Sequence, residues 1–301
     1  MAVDNVDLSD QTPFLVLGWH QGSRVEGGRY PLHPDMASAL AEVAQEALDR
    51  VDELEMSEYS GATLLATGEE GLWVPTERLN DESALLELLR DPDELKTLRA
   101  TDLADKSFSF FAIGFGATEA ERIFFVKKKA RHLRADTAIL GILQGPLKPI
   151  QGTVISLERD VDFILLNEGV VVFEANAFEK YLRDPKDVGK DLDTALDKIK
   201  QKLPFTESTL SELRKLGRKK SMLRRRIRSI SEADYFATLD AARIRREFMR
   251  LKESPSDYIK KGKLTFPPTK ALYVFKVLDE AAWRGGFSDR LYTTSAKKAE
   301  P

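Results

Sequence analysis

Apolar residues along the chain follow two rhythms. Short runs, continuous or alternating, at residues 14–19, 62–66, 72–74, 107–115, 122–128, 139–143, 154–156, 161–166 and 170–174 have the length of strands, and the strongest are rich in β-branched and aromatic side chains. The clearest pair is 161–166 with 170–174, because Asn167, Glu168 and Gly169 between them favour a tight turn. Elsewhere the spacing is helical. Leu40, Val43, Ala44, Ala47, Leu48 and Val51 share one side of a helix that starts at Pro34-Asp35 and runs to about residue 56. Two short helices at 81–90 and 93–98 are expected on either side of Asp91-Pro92. A helix follows the pair 161–166 and 170–174, with Asn176 as its cap, Phe178 and Tyr181 as anchors and Asp184-Pro185 as its stop. Residues 187–252 are almost wholly helical, broken near Pro204 and 229–234; a helix at 269–279 and a strand at 290–294 close the chain. The class this predicts is α+β: a mixed or antiparallel sheet with a basic helical array in the C-terminal half.

Charge adds a division that hydropathy does not show. The net charge of −3 is a cancellation, since residues 1–105 hold 7 Lys and Arg against 23 Asp and Glu, whereas 106–301 hold 39 against 26. The expected organisation is an acidic N-terminal lobe, 1–105, and a basic C-terminal domain, 106–301, the better candidate for nucleic acid. Within it, nine of the fifteen residues from Arg214 to Arg228 are Lys or Arg and none is acidic. As one helix this stretch places Leu213, Leu216, Leu223, Ile227 and Ile230 on one side and Arg214, Arg218, Arg225 and Arg228 on the other. Its rise of roughly 22 Å at 1.5 Å per residue suits a polyphosphate better than a small anion. The candidate DNA-binding residues are Arg214, Lys215, Arg218, Lys219, Lys220, Arg224, Arg225, Arg226 and Arg228; Arg243, Arg245, Arg246, Arg250 and Lys252 continue the positive charge onto the next helix without being assigned a contact. Reversing Arg218, Arg225 and Arg228 to Glu is expected to abolish binding and leave the fold intact. A docking surface for an acidic protein and simple solvation are the other readings of such a run. A second cluster, Lys127, Lys128, Lys129 and Arg131, serves equally as phosphate contact or as protection of a strand edge.

Catalytic chemistry finds little support. With no cysteine, disulfides and thiolate chemistry are excluded. No run of 18 apolar residues exists and the first residues are acidic, so a cytoplasmic location is expected. His20, His33 and His132 lack metal-ligand spacing, and neither a GxxxxGK[ST] loop nor a GxSxG elbow occurs. Trp19, Trp73 and Trp283 suit core packing or base stacking. No cofactor, metal or catalytic residue is expected. The competing reading is a metal-dependent nuclease on Asp162 and Glu174, whose pattern wants Lys two residues after Glu174 but meets Asn176, with Lys180 already a turn into the next helix. A basic helix lying on an anionic membrane is disfavoured, since the apolar side of 214–228 has no Trp or Phe.

The order RDVDFILLNEGVVVFEANAFEKYL, a charged helical array and a closing FSDRLYTTSAKK resembles the domain family of the KwaB subunit of the Kiwa anti-phage defence system. The likeness rests on Asp160 and Asp162 in the hairpin, Phe178-Glu179 opening the next helix, and Ser288, Leu291 and Tyr292 near the end; it covers roughly residues 105–298. The resemblance implies a non-catalytic DNA-binding effector that interferes with phage DNA replication and late transcription. It also implies a homo-oligomer, dimer or higher, recruited from the cytoplasm to the inner membrane by a small KwaA-like membrane protein.

Overall fold

The computed structural model describes residues 6–21, 24–64, 69–80, 82–103, 108–128, 131–133, 139–141, 148–150, 154–285, 288 and 290–294. The chain is an α+β fold in two units, one of residues 1–58 and 70–183, the other of 59–69 and 184–301. The expected boundary near residue 105 is therefore displaced, because the strands on either side of it belong to one sheet. The charge asymmetry survives the correction: the first unit carries 18 Lys and Arg against 31 Asp and Glu, the second 28 against 18.

The first unit contains β1 (Phe14–Gln21), β2 (Arg24–Tyr30), α1 (Pro34–Glu53), β3 (Glu55–Glu58), β4 (Glu70–Pro75), α2 (Ala84–Arg90), α3 (Ala100–Leu103), β5 (Phe110–Phe115) and β6 (Ile123–Lys128). It continues with β7 (Arg131–Leu133), β8 (Ile139–Gly141), β9 (Lys148–Ile150), β10 (Val154–Ser156), β11 (Phe163–Leu166), β12 (Gly169–Val172) and α4 (Ala175–Leu182). Eight strands form one sheet in the order β2-β1-β5-β6-β11-β12-β4-β3, antiparallel except for the parallel pair β3–β4. β7 pairs with β10 and β8 with β9. The apolar side of α1 packs on the face carrying Leu15, Leu17, Phe111, Ile113, Phe115, Phe125, Ile164 and Val171. The opposite alternation, including Val16, Phe110, Ala112, Val126, Phe163, Val170 and Val172, is buried as well, and Tyr181 of α4 meets Phe110 edge-on at 5.4 Å. A sheet covered on both faces has continuous apolar strands, which is why β5 reads FFAIGF and is buried throughout.

Between β1 and β5 two phenylalanines each lie across a glycine: Phe14 opposite Gly114 and Gly18 opposite Phe110. A Cβ on either glycine would intrude into the facing ring. Gly18→Ala should therefore lower the stability by about 1–3 kcal/mol, the usual cost of overpacking, read as a lower urea midpoint at unchanged slope. A midpoint within error of wild type would mean that the Phe110 ring swings aside freely.

The second unit comprises α5 (Pro185–Lys202), α6 (Glu207–Lys219), α7 (Ser221–Glu232), α8 (Ala241–Arg250), β13 (Ile259–Lys260), β14 (Lys263–Leu264), α9 (Ala271–Leu278), β15 (Ala282–Arg284) and β16 (Leu291–Thr293). Leu192, Leu196 and Ile199 of α5, Leu213 of α6, Leu223, Ile227 and Ile230 of α7, Phe248 of α8 and Phe275 of α9 share its core. The single helix expected over 214–228 is two. Lys220 is extended (φ −115°, ψ 97°), and its N–H donates to Leu216 O at 2.7 Å to close α6. The break lets α7 pack between α5 and α9, where a straight continuation of α6 would have carried the arginines outward.

Candidate nucleic-acid interface

Three of the nine cations in the 214–228 run are interior. Arg226 is completely buried, donating from one terminal nitrogen to Asp279 Oδ2 at 2.6 Å and from the other to Thr294 O at 2.7 Å. Asp279 is equally buried and also accepts from Ser229 Oγ at 2.9 Å. Burial pushes the Arg226 guanidinium below its ordinary value, against the pull of Asp279. Arg224, buried, donates to Gly217 O at 2.9 Å, and Arg225 is buried beside it. These three do not face an external polyanion, which corrects their assignment as DNA contacts. The cause is the break at Lys220, which gives α7 a covered position.

The remaining arginines have counter-charges that the run itself does not contain. Asp193 and Asp197 of α5 accept from Arg214 at 3.1 and 3.0 Å, and Asp193 also from Arg218 at 3.0 Å. Arg228 binds Asp191 at 2.6 Å and Glu232 at 3.3 Å. Reversing Arg218, Arg225 and Arg228 is consequently not a surface perturbation, because it places a carboxylate in the interior at 225 and beside Asp191 at 228.

A different set of cations is open. Lys215, Lys219 and Lys220 are exposed at the end of α6, and Arg245, Arg246 and Arg250 along α8. Among the described residues Lys215 and Arg250 pair only with glutamates one turn away on their own helices. Lys219, Lys220, Arg245 and Arg246 have no carboxylate partner among the described residues. Lys260, Lys261 and Lys263 are likewise exposed, around a two-residue turn in which Lys261 and Gly262 both take positive φ (49° and 75°), as a type I′ hairpin requires. The Lys261-Gly262 dipeptide is the sequence signal for this turn. On α6, Ser211, Arg214, Lys215, Arg218 and Lys219 with Glu207 line a groove of about 420 Å³.

The second basic cluster is resolved differently. Lys127 lies on β6, in the middle of the sheet rather than at an edge, and is buried. Its amine donates to Asp160 at 2.6 Å and to Asp162 at 3.0 Å, with Glu158 at 3.5 Å. Burial draws the amine's pKa down, but the hydrogen bonds it donates to Asp160 and Asp162 outweigh it and hold Lys127 well above the ordinary lysine value. Asp162 is shifted upward because its burial outweighs the Lys128 N–H and the Lys127 amine, and Glu174 adds to the rise. Lys127 is thus an internal ion, not a phosphate contact. Lys128 is half-exposed, Arg131 sits on β7 opposite Ser156, and Lys129 lies outside the described residues.

The nuclease pair is brought together: Glu174 N–H donates to Asp162 O at 2.9 Å. The Glu174 side chain caps α4, accepting from Asn176 N at 2.9 Å, so the cap expected at Asn176 falls two residues earlier. No group of three His, Asp or Glu among the described residues is placed to hold a metal ion. His33 caps α1, His20 stacks on Tyr181 at 5.8 Å, and His132 lies on β7. Trp19 is buried and Trp73 half-buried, whereas Trp283 is exposed. Among the described residues no helix is long and apolar enough to cross a membrane. No protein-family model, no curated protein and no solved structure matches the chain.

Proposed function

We propose that the second unit binds DNA through its phosphates, largely without regard to sequence, as the non-catalytic effector of a bacterial anti-phage defence system. The observation that carries this reading is the open set Lys219, Lys220, Arg245 and Arg246, exposed and without acidic partners among the described residues, in a unit with ten more cations than anions. Lys and Arg that contact phosphates hold a duplex without reading bases. The resemblance to the Kiwa subunit supplies the setting: interference with phage DNA replication and late transcription, a homo-oligomer, and recruitment from the cytoplasm to the inner membrane by a small membrane-protein partner.

Titration of a labelled duplex against salt tests the binding. The logarithm of affinity should fall with that of salt concentration at about −0.9 per phosphate neutralised. Replacing Lys219, Lys220, Arg245 and Arg246 with Glu should reduce the slope by about one for each phosphate no longer neutralised and leave the thermal midpoint in place, since all four are on the surface. Unchanged affinity in this variant removes the proposed interface.

A second reading, a metal-dependent nuclease on Asp162 and Glu174, is favoured by one observation. In that reading the lysine missing two residues after Glu174 would be Lys127, whose amine donates to Asp162 at 3.0 Å. It expects nicking of plasmid in Mg²⁺ or Mn²⁺ that disappears in Asp162→Asn; plasmid left intact by wild type removes it.

A further inference from the structure

Among the described residues five large apolar side chains are exposed, and three of them, Trp283, Leu291 and Tyr292, sit on the single hairpin β15–β16. Trp283 and Tyr292 are directly opposed in its register and so project from the same face. Their rings are nearly parallel, 18° apart with centroids 6.0 Å apart, and each residue is 42% exposed. A cross-strand aromatic pair stabilises a hairpin by itself, but this one is held in more ways than a two-stranded ribbon needs. Tyr292 OH and Ser288 Oγ are 3.0 Å apart, which fixes the ring's tilt. Gly285 leaves room for that ring, since a Cβ there would lie 2.9 Å from it. The base of the hairpin is tied to the helices: Arg226 donates to Thr294 O at 2.7 Å, Lys276 to Thr293 Oγ1 at 3.1 Å and Arg284 to Leu251 O at 2.6 Å.

Four cations border the hairpin, with Glu253 next to one of them, Lys252. Lys252 is exposed directly after Leu251, Arg290 is exposed just before β16, and Lys276 and Arg284 lie at its foot. Rigid aromatic faces bordered by Lys and Arg are the elements with which proteins hold single-stranded nucleic acid, the bases stacking on the rings and the backbone following the charges. A duplex keeps its bases stacked on one another and offers the rings nothing. We propose that the Trp283–Tyr292 face is a stacking platform for the bases of single-stranded nucleic acid, so that the second unit prefers single strands, or melted duplex, to intact duplex. This rests on the phosphate-binding reading above and adds the class of nucleic acid.

The full-length chain is titrated with a labelled oligothymidylate, with a duplex of equal length, and with vesicles of phosphatidylcholine and phosphatidylserine. Wild type should bind the single strand more tightly, with quenching of tryptophan emission. Trp283→Ala and Tyr292→Ala should each lose about tenfold or more of the single-strand affinity and less than twofold of the duplex affinity. Trp283→Phe, which keeps a ring in the pair, should retain most of the affinity and lose the quench. Equal losses for both ligands, or none for either, overturn the platform and leave phosphate binding standing. A wild-type chain that binds neither ligand removes both readings. Vesicle binding that shifts Trp283 emission to shorter wavelength, without quenching by the oligonucleotide, overturns the proposal in favour of a lipid surface.

Discussion

Asp279→Ala should cost the second unit about 3–5 kcal/mol, the usual consequence of removing one member of a buried ion pair. Arg226 has no solvent to turn to: it is completely buried, and its terminal nitrogens are committed to Asp279 and to Thr294 O. The substitution also takes the acceptor from Ser229 Oγ and leaves an internal cavity beside Tyr235, whose hydroxyl donates to Leu278 O at 3.1 Å. Because α7 and α9 meet through this pair, both helices should loosen together, seen as a lower urea midpoint and faster amide exchange in both. The double replacement Arg226→Met with Asp279→Leu should recover most of the loss, since two apolar side chains of similar volume carry no desolvation penalty. A single substitution costing under about 1 kcal/mol would place the pair in the range of solvent-screened surface bridges and show that water reaches it.

Arg226 also marks where the sequence stops being informative. The strands β1, β5, β6, β11 and β12 are legible because burial on one or both faces leaves an uninterrupted mark on residue type, and Asn167–Gly169 announces its turn. The strand β2 is not, because Arg-Val-Glu-Gly-Gly-Arg-Tyr places Gly27 and Gly28 where a turn is the local preference, and only pairing with β1 makes it extended. The runs 62–66 and 72–74 read as the two strands of a hairpin, but residues 65–66 lie outside the described residues and β4 takes β3, with residues 59–69 between them, as its parallel neighbour, a pairing that leaves no local sign. For the basic run, the number of cations is plain in the sequence and their fate is not. A guanidinium on a helix surface and one sealed against Asp279 are the same letter, and the deciding residue lies 53 positions away. The neutralising aspartates of α5 are equally invisible from within 214–228. Exposed cations such as Arg245 and Arg246 are the ones that charge alone identifies, because nothing in the fold changes their surroundings.

The last expected result concerns the other internal cation. Lys127→Met should destabilise the first unit by about 3–5 kcal/mol at neutral pH, and the deficit should shrink as the pH is lowered. The sign follows from the two groups. The Lys127 amine is held above its unfolded value, so its contribution is complete below the ordinary lysine pKa and is lost only in strong alkali. Asp162 is also held above its unfolded value of 3.8, mainly by burial. The folded state therefore binds its proton more tightly, and stability falls as the pH rises through that interval. Removing the amine drives the Asp162 carboxyl higher still, because its charge then has only the Lys128 N–H at 2.7 Å to offset burial. Asp160 turns to solvent at little cost, being largely exposed already. Urea midpoints of wild type and variant should accordingly converge on acidification, as the proton replaces the ammonium in neutralising Asp162. Lys127→Met combined with Asp162→Asn should recover part of the loss at neutral pH and show no such convergence, having no charge left to titrate. A gap between wild type and Lys127→Met that stays constant from neutral to acidic pH would assign the lysine to packing alone, with its stem filling the space between β5 and β11 and its charge contributing nothing to the sheet.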